Sequence, residues 1–140
     1  MSGRRVVVTG LGMLTPVGLD VVSSWDAIRA GRSGAATIED FDVSEKGFDA
    51  SAYMDPKEAR RVDVFVQYGM AAAIQAIEDA GLEVPAADAH RYGVSIGSGI
   101  GGIVTIERTH EVLQKSGPRR VSPFFVPGSV INMIAGNISI

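Results

Sequence analysis

The 140-residue chain has no cysteine and only two histidines, His90 and His110. Disulfides, thiolate metal sites and a thiol nucleophile supplied by this chain are thereby excluded. A histidine-based zinc site lacks its ligands too, so no metal and no cofactor is expected. No apolar run is long enough to cross a bilayer. The valines at 6–8 break at Thr9-Gly10, which is also too short for the core of a secretion signal. A cytoplasmic protein with no membrane partner is the expectation. Positive charge is not in excess either: 13 Lys and Arg stand against 16 Asp and Glu, a net charge of -3, which argues against nucleic acid as a partner. No repeat and no low-complexity tract is present.

What is there has the balance of one soluble domain, 46% apolar and 21% charged. Such a length can bury roughly 70% of the surface that the unfolded chain exposes. Arg4 to Thr9 reads as a strand covered on both faces, followed by a loop holding Gly10, Gly12, Pro16 and Gly18. Strand, glycines and helix in that order invite a dinucleotide-site reading. The glycines are out of register for G-x-G-x-x-G, however, and a structural turn is preferred. Asp20 is placed to cap a helix with Val21, Trp25 and Ile28 buried and Gly31 past its end. From Gly31 to Tyr53 the pattern is weak.

Asp55-Pro56-Lys57-Glu58 starts a long helix, with Val62, Phe65, Val66, Gly69, Met70, Ala73, Ile74 and Ile77 at helical spacing and Gly81 at its end. Lys57, Arg60 and Arg61 share a face of its first turns. They form either a solvated surface or a docking patch for an acidic partner. Arg119-Arg120 is a second candidate patch.

Val94 to Gly102, Val-Ser-Ile-Gly-Ser-Gly-Ile-Gly-Gly, reads as a strand falling into a glycine turn, then a helix from Ile103 to about Lys115 ending at Gly117-Pro118. A phosphate loop of the Walker type needs Lys and Ser or Thr after its last glycine, where Ile103-Val104 stands. Ile100 would obstruct an anion, so apolar packing is the better reading, with a branched side chain between glycines free to move as a gate does. Pro118 to Pro127 reads as extended, with Phe124 and Phe125 on opposite sides, and Ser129 to Ile140 as an apolar helix without an exit. The order is α/β, with too few strands to finish a sheet. The residues themselves show no catalytic triad, carboxylate pair or metal spacing.

Arg4-Arg5-Val-Val-Val-Thr-Gly-Leu-Gly-Met-Leu-Thr-Pro-Val-Gly, Gly97-Ser-Gly-Ile-Gly-Gly, Gly117-Pro-Arg-Arg-Val-Ser-Pro-Phe-Phe-Val-Pro and Asn132-Met-Ile-Ala-Gly together resemble the N-terminal part of bacterial β-ketoacyl-acyl-carrier-protein synthases of the type II elongating kind. The resemblance implies the N-terminal part of a thiolase-like fold, layered αβαβα, spanning residues 1–140 with its sheet incomplete. It implies a homodimer and a decarboxylative Claisen condensation of an acyl-enzyme with malonyl-carrier protein. The nucleophilic cysteine and two histidines of that reaction are not in this chain, which is expected to be a fragment, inactive alone.

Residue by residue, Ile100 matches the gate of the acyl pocket, and Phe125 matches a phenylalanine lining that pocket across the dimer. Lys57, Arg60 and Arg61 match the patch that docks the acyl carrier protein, and Arg119 and Arg120 match a second contact to it. The family carries about nine more residues between Ser44 and Phe48, enough for a short strand. Two other readings stay open: a non-catalytic chain-length partner subunit of a condensing heterodimer, and a nucleotide-binding α/β module.

Overall fold

The computed structural model describes residues 3–35, 47–83 and 87–140. Six α-helices carry the architecture among them: α1 (Val21–Arg29), α2 (Pro56–Ala59), α3 (Val64–Asp79), α4 (Ile103–Ser116), α5 (Phe125–Ser129) and α6 (Met133–Ser139). Short 3-10 turns at Ala50–Ala52, Ala89–Arg91 and Pro118–Arg120 connect them.

Local chemistry fixes the helix ends. Asp20 closes a capping box on α1: its carboxylate accepts from the Ser23 amide at 2.7 Å, and the Ser23 hydroxyl accepts from the Asp20 amide at 3.3 Å. The Ser23 amide and hydroxyl hold the Asp20 carboxyl below its ordinary value. Asp55 caps α2 through the Lys57 amide, with Pro56 at the first helical position. Gly31, Gly81 and Gly117 follow α1, α3 and α4 at positive φ, as their place after each apolar pattern predicts.

The core lies where α3 meets α6. Val66 and Ala71 of α3 are fully buried, and Ile134 of α6 is 4% exposed. Gly69 makes this approach possible, since a Cβ there would lie 2.6 Å from Cδ1 of Ile134. The N-terminal segment is laid along α3 by side chains one turn apart. Asp79 Oδ2 accepts from the Leu11 amide at 2.8 Å, and Gln75 Oε1 from the Met13 amide at 3.1 Å. Gln75 also donates to Leu19 O at 2.8 Å and to the Tyr53 hydroxyl at 3.0 Å. A Cβ on Gly10 would lie 2.7 Å from the Ala80 Cβ, and one on Gly12 would lie 2.7 Å from the Ala76 nitrogen. These two glycines therefore face a helix backbone, which fills the space a dinucleotide would need.

Several sequence expectations give way here. No strand forms among the described residues; one isolated bridge joins Thr15 and Gly18. A strand needs a neighbour to take its amides and carbonyls, and the segments at 4–9 and 94–97 have none among the described residues. Val6, Val7 and Val8 are accordingly exposed. On α1 the buried residues are Ser24 and Ala27, while Trp25 and Ile28 are more than half exposed. Small residues face inward because α1 sits tightly on the Thr15–Gly18 turn, with the Thr15 and Ser24 hydroxyls 2.9 Å apart.

The long helix expected from Asp55 is broken between Ala59 and Val64, and the apolar helix expected from Ser129 begins only at Met133. Pro118 to Pro127 is not extended. It holds a 3-10 turn and the start of α5, whose first turn accommodates Pro127 because the N–H that proline lacks has no helical acceptor at that position. The segment after Ser44 that the resemblance marks as short lies, at Ser44 to Lys46, outside the described residues.

Candidate functional site

The interruption between α2 and α3 creates the site. Arg60 ends α2 as its C-cap, and the Arg61 amide donates to Glu58 O at 2.8 Å. Asp63 then starts α3 as N-cap, its Oδ1 accepting from the Phe65 amide at 3.3 Å. Its second oxygen is not left to water. Asp63 Oδ2 accepts from the Thr105 amide at 2.8 Å, in the first turn of α4. One carboxylate, 5% exposed, thus stands at the N-termini of the 16-residue α3 and the 14-residue α4, where both helix dipoles favour negative charge.

The glycine turn docks onto the same place. Gly101 has φ +84° and its amide donates to Ser98 Oγ at 3.2 Å; the Gly102 amide donates to Ser129 O at 2.9 Å. A Cβ on Gly102 would lie 2.7 Å from Cα of Ser129, so glycine there admits the end of α5. The first-turn amides at Gly102 and Thr105 are thus taken by the chain's own oxygens. This agrees with the preference for apolar packing over a phosphate loop. Ile100, just before this anchored turn, is 70% exposed, a side chain on a loop whose far end is held.

The third segment is α5. The Asp63 amide donates to Gly128 O at 2.9 Å, and the Ser129 hydroxyl to Phe125 O at 2.7 Å. Phe124 is half exposed beneath Arg61, whose guanidinium carbon sits 4.7 Å from the ring centroid. Between these segments opens a cleft of about 640 Å³, walled by Val104 and Phe125 and rimmed by Arg60, Arg61 and Arg108.

The expected residues thus divide. Arg60, Arg61 and Phe125 come together in the cleft lining, which does not include Ile100. Lys57 stands on α2 outside the cleft lining, while Arg60 and Arg61, at and just past the end of that helix, are part of it. Arg119 and Arg120 sit exposed on the 3-10 turn before Val121, also outside the lining. His110 is exposed on α4. Nearby, Glu111 is held below its ordinary carboxyl value by Lys115, whose Nζ is 2.8 Å away.

Two residues and one contact were not singled out in the sequence. Asp63 carries the signal of a helix start, an aspartate just before an apolar helical run, but the continuing periodicity from Asp55 hides it. Arg108 and the Arg61–Phe124 pairing carry no local signal at all.

Residues 3–140 match the family described as beta-ketoacyl synthase, N-terminal domain. The chain is 58% identical to the 3-oxoacyl-[acyl-carrier-protein] synthase 2 of Vibrio cholerae serotype O1 and 54% identical to that of Vibrio harveyi. Each alignment covers 100% of this chain and 36% of the relative, so the chain spans about a third of the length of the curated proteins it matches. Both run over 149 residues, which exceeds the 140 of this chain by nine, the number of residues that the resemblance finds short.

A solved complex described as a type II PKS acyl-carrier protein with its ketosynthase superposes with a TM-score of 0.78 at 26% identity, over 95% of this chain and 37% of that one. The backbone therefore follows the N-terminal part of the thiolase-like ketosynthase fold even where no ladder is closed. The chain belongs to the beta-ketoacyl synthase family, whose N-terminal domain it matches along nearly its whole length.

Proposed function

We propose that this chain is the carrier-docking and acyl-gating part of a 3-oxoacyl-acyl-carrier-protein synthase of fatty acid elongation, an acyltransferase of the cytoplasm that acts as a homodimer. The reaction is a decarboxylative Claisen condensation. An acyl group held as a thioester is attacked by the carbanion left when malonyl-carrier protein loses carbon dioxide, and the cysteine thiolate departs. This chain has no cysteine, so that nucleophile has to come from elsewhere in the working enzyme. The contribution of the chain is recognition. Lys57, Arg60 and Arg61, with Arg119 and Arg120, meet the acidic carrier, Ile100 gates the acyl tunnel, and Phe125 lines the pocket of the partner subunit.

The observation that carries the reading is the cleft itself, with two of the docking arginines at the rim and an apolar wall containing Phe125 within. A carrier protein delivers an acid surface and an apolar chain together, and basic and apolar side chains lying side by side support a partner of that kind. The 58% identity to a curated 3-oxoacyl synthase supports the same reaction class.

The test is charge reversal of Lys57, Arg60 and Arg61 in the intact protein. Carrier affinity, read by calorimetry at low salt, falls by about tenfold or more, because exposed charges act over a Debye length there. The melting temperature stays within about 2 °C, since surface changes cost little stability. Unchanged affinity would remove the docking assignment.

A further inference from the structure

Three segments that the proposed function uses separately converge on one residue, Asp63. Asp63 lies two residues after Arg61, and its oxygens accept from Phe65 at the head of α3 and from Thr105 at the head of α4. Its amide donates to Gly128 O in α5, the helix that Phe125 begins, and Ser129 O accepts from Gly102. The result is a closed ring of contacts from the docking arginines through α5 to the turn that bears Ile100.

The identity of the residue is informative. Capping α3 alone needs one acceptor and can be done at a solvated surface by Ser, Thr or Asn. This aspartate is buried, and the ion pairs among the described residues, Arg91–Asp88 and Lys115–Glu111, do not include it. Burial of such a charge is tolerated only with hydrogen bonds to each oxygen. Only a carboxylate offers an acceptor on both arms, because an amide side chain has one accepting atom and one donating group.

The ring also has little slack. A Cβ on Gly102 would lie 3.1 Å from the Asp63 Cβ and 2.7 Å from the Ser129 Cα, and one on Gly128 would lie 2.5 Å from the Arg61 carbonyl oxygen. Packing this close passes a displacement on instead of absorbing it. At its outer edge Arg61 rests on the Phe124 ring, so a carboxylate of a docking protein that binds this guanidinium acts on a side chain already packed against the segment that leads into α5.

We infer that Asp63 is a positioning residue for acyl entry, holding the Ile100 turn in register with the arginines that receive the carrier, so that docking at Arg60 and Arg61 is felt at Gly102 to Thr105. The inference rests on the carrier-docking reading above and adds to it a residue that touches neither substrate nor carrier.

Amide hydrogen exchange in the intact protein tests it, read at Phe65 and at Gly102 to Thr105 with and without acyl-carrier protein. In the wild type, carrier binding changes exchange at Gly102 to Thr105. Asp63→Asn keeps its Oδ1 acceptor for Phe65 but turns a donating group towards Thr105. Exchange at Thr105 then rises about fivefold or more, Phe65 stays protected, and the response to the carrier disappears. Asp63→Glu, which retains two accepting oxygens, restores the response in part.

A wild-type protein that binds no carrier overturns the docking reading and this inference with it. One that binds carrier with no change in exchange at Gly102 to Thr105 overturns this inference alone, whether or not the Asn variant folds. An Asn variant that folds and keeps its full response to the carrier does the same, because coupling is measured by what the second site feels and not by proximity.

Discussion

Two apolar stretches of this chain end in opposite surroundings. On α3 and α6, Val66 and Ala71 are fully buried and Ile134 is 4% exposed; in the N-terminal segment Val6, Val7 and Val8 are 92%, 65% and 77% exposed. Both stretches are aliphatic, so composition does not separate them. Hydrogen-bond closure does. A helix satisfies its own backbone and needs a neighbour only for its apolar stripe, which α3 finds in α6. A β-branched run needs a ladder before its side chains have a face to cover.

The packed region can be broken most severely at its centre. Ile134→Ala leaves a hole against Gly69 and the α3 stripe, and is expected to cost about 2–5 kcal/mol in urea unfolding of the 140-residue chain. A loss below about 1 kcal/mol would show that the α3–α6 contact is not the core.

The seam between the two regions is the next target. Gly10 and Gly12 let the N-terminal segment lie against the α3 backbone, where Asp79 and Gln75 take the amides of Leu11 and Met13. In Gly12→Ala the new methyl meets the backbone at Ala72 and Ala76, which cannot swing aside as a side-chain tip can. We expect a loss of about 1–3 kcal/mol, with faster amide exchange at Leu11 and Met13. A variant with wild-type stability and exchange would mean that the segment is not seated on α3.

The same division explains what could be read in the sequence. Helix ends set by neighbouring residues were legible: Asp20, Asp55, Gly31, Gly81 and Gly117 all serve where their local pattern places them. The break before α3 was not, because Val62 to Ile77 keeps helical spacing and the second reason for a cap at Asp63 lies 42 residues away, at Thr105. The site was legible in parts. Local spacing found a cluster of cations and a gate-like turn, and the resemblance named their partner. Neither could reveal that Arg61 lies over Phe124 or that Arg108 shares the cleft, since these are products of packing. The strands failed for the complementary reason: a valine run states what it could pair with and not whether the partner is at hand.

The smallest effect is expected in the valines themselves. Val7 is 65% exposed in the 140-residue chain, so Val7→Thr exchanges one β-branched side chain for another and removes little buried area. Its melting midpoint should correspond to a change within about 0.5 kcal/mol. In the longer protein that the family match describes, the same substitution is expected to cost more, about 1–3 kcal/mol, if the run there joins a covered sheet and the hydroxyl is buried without a partner. The contrast between the two measurements is the informative quantity. Equal, small effects would mean that this run stays outside the core in both settings, whereas a large effect in the 140-residue chain would mean that the valines already pack against something in solution.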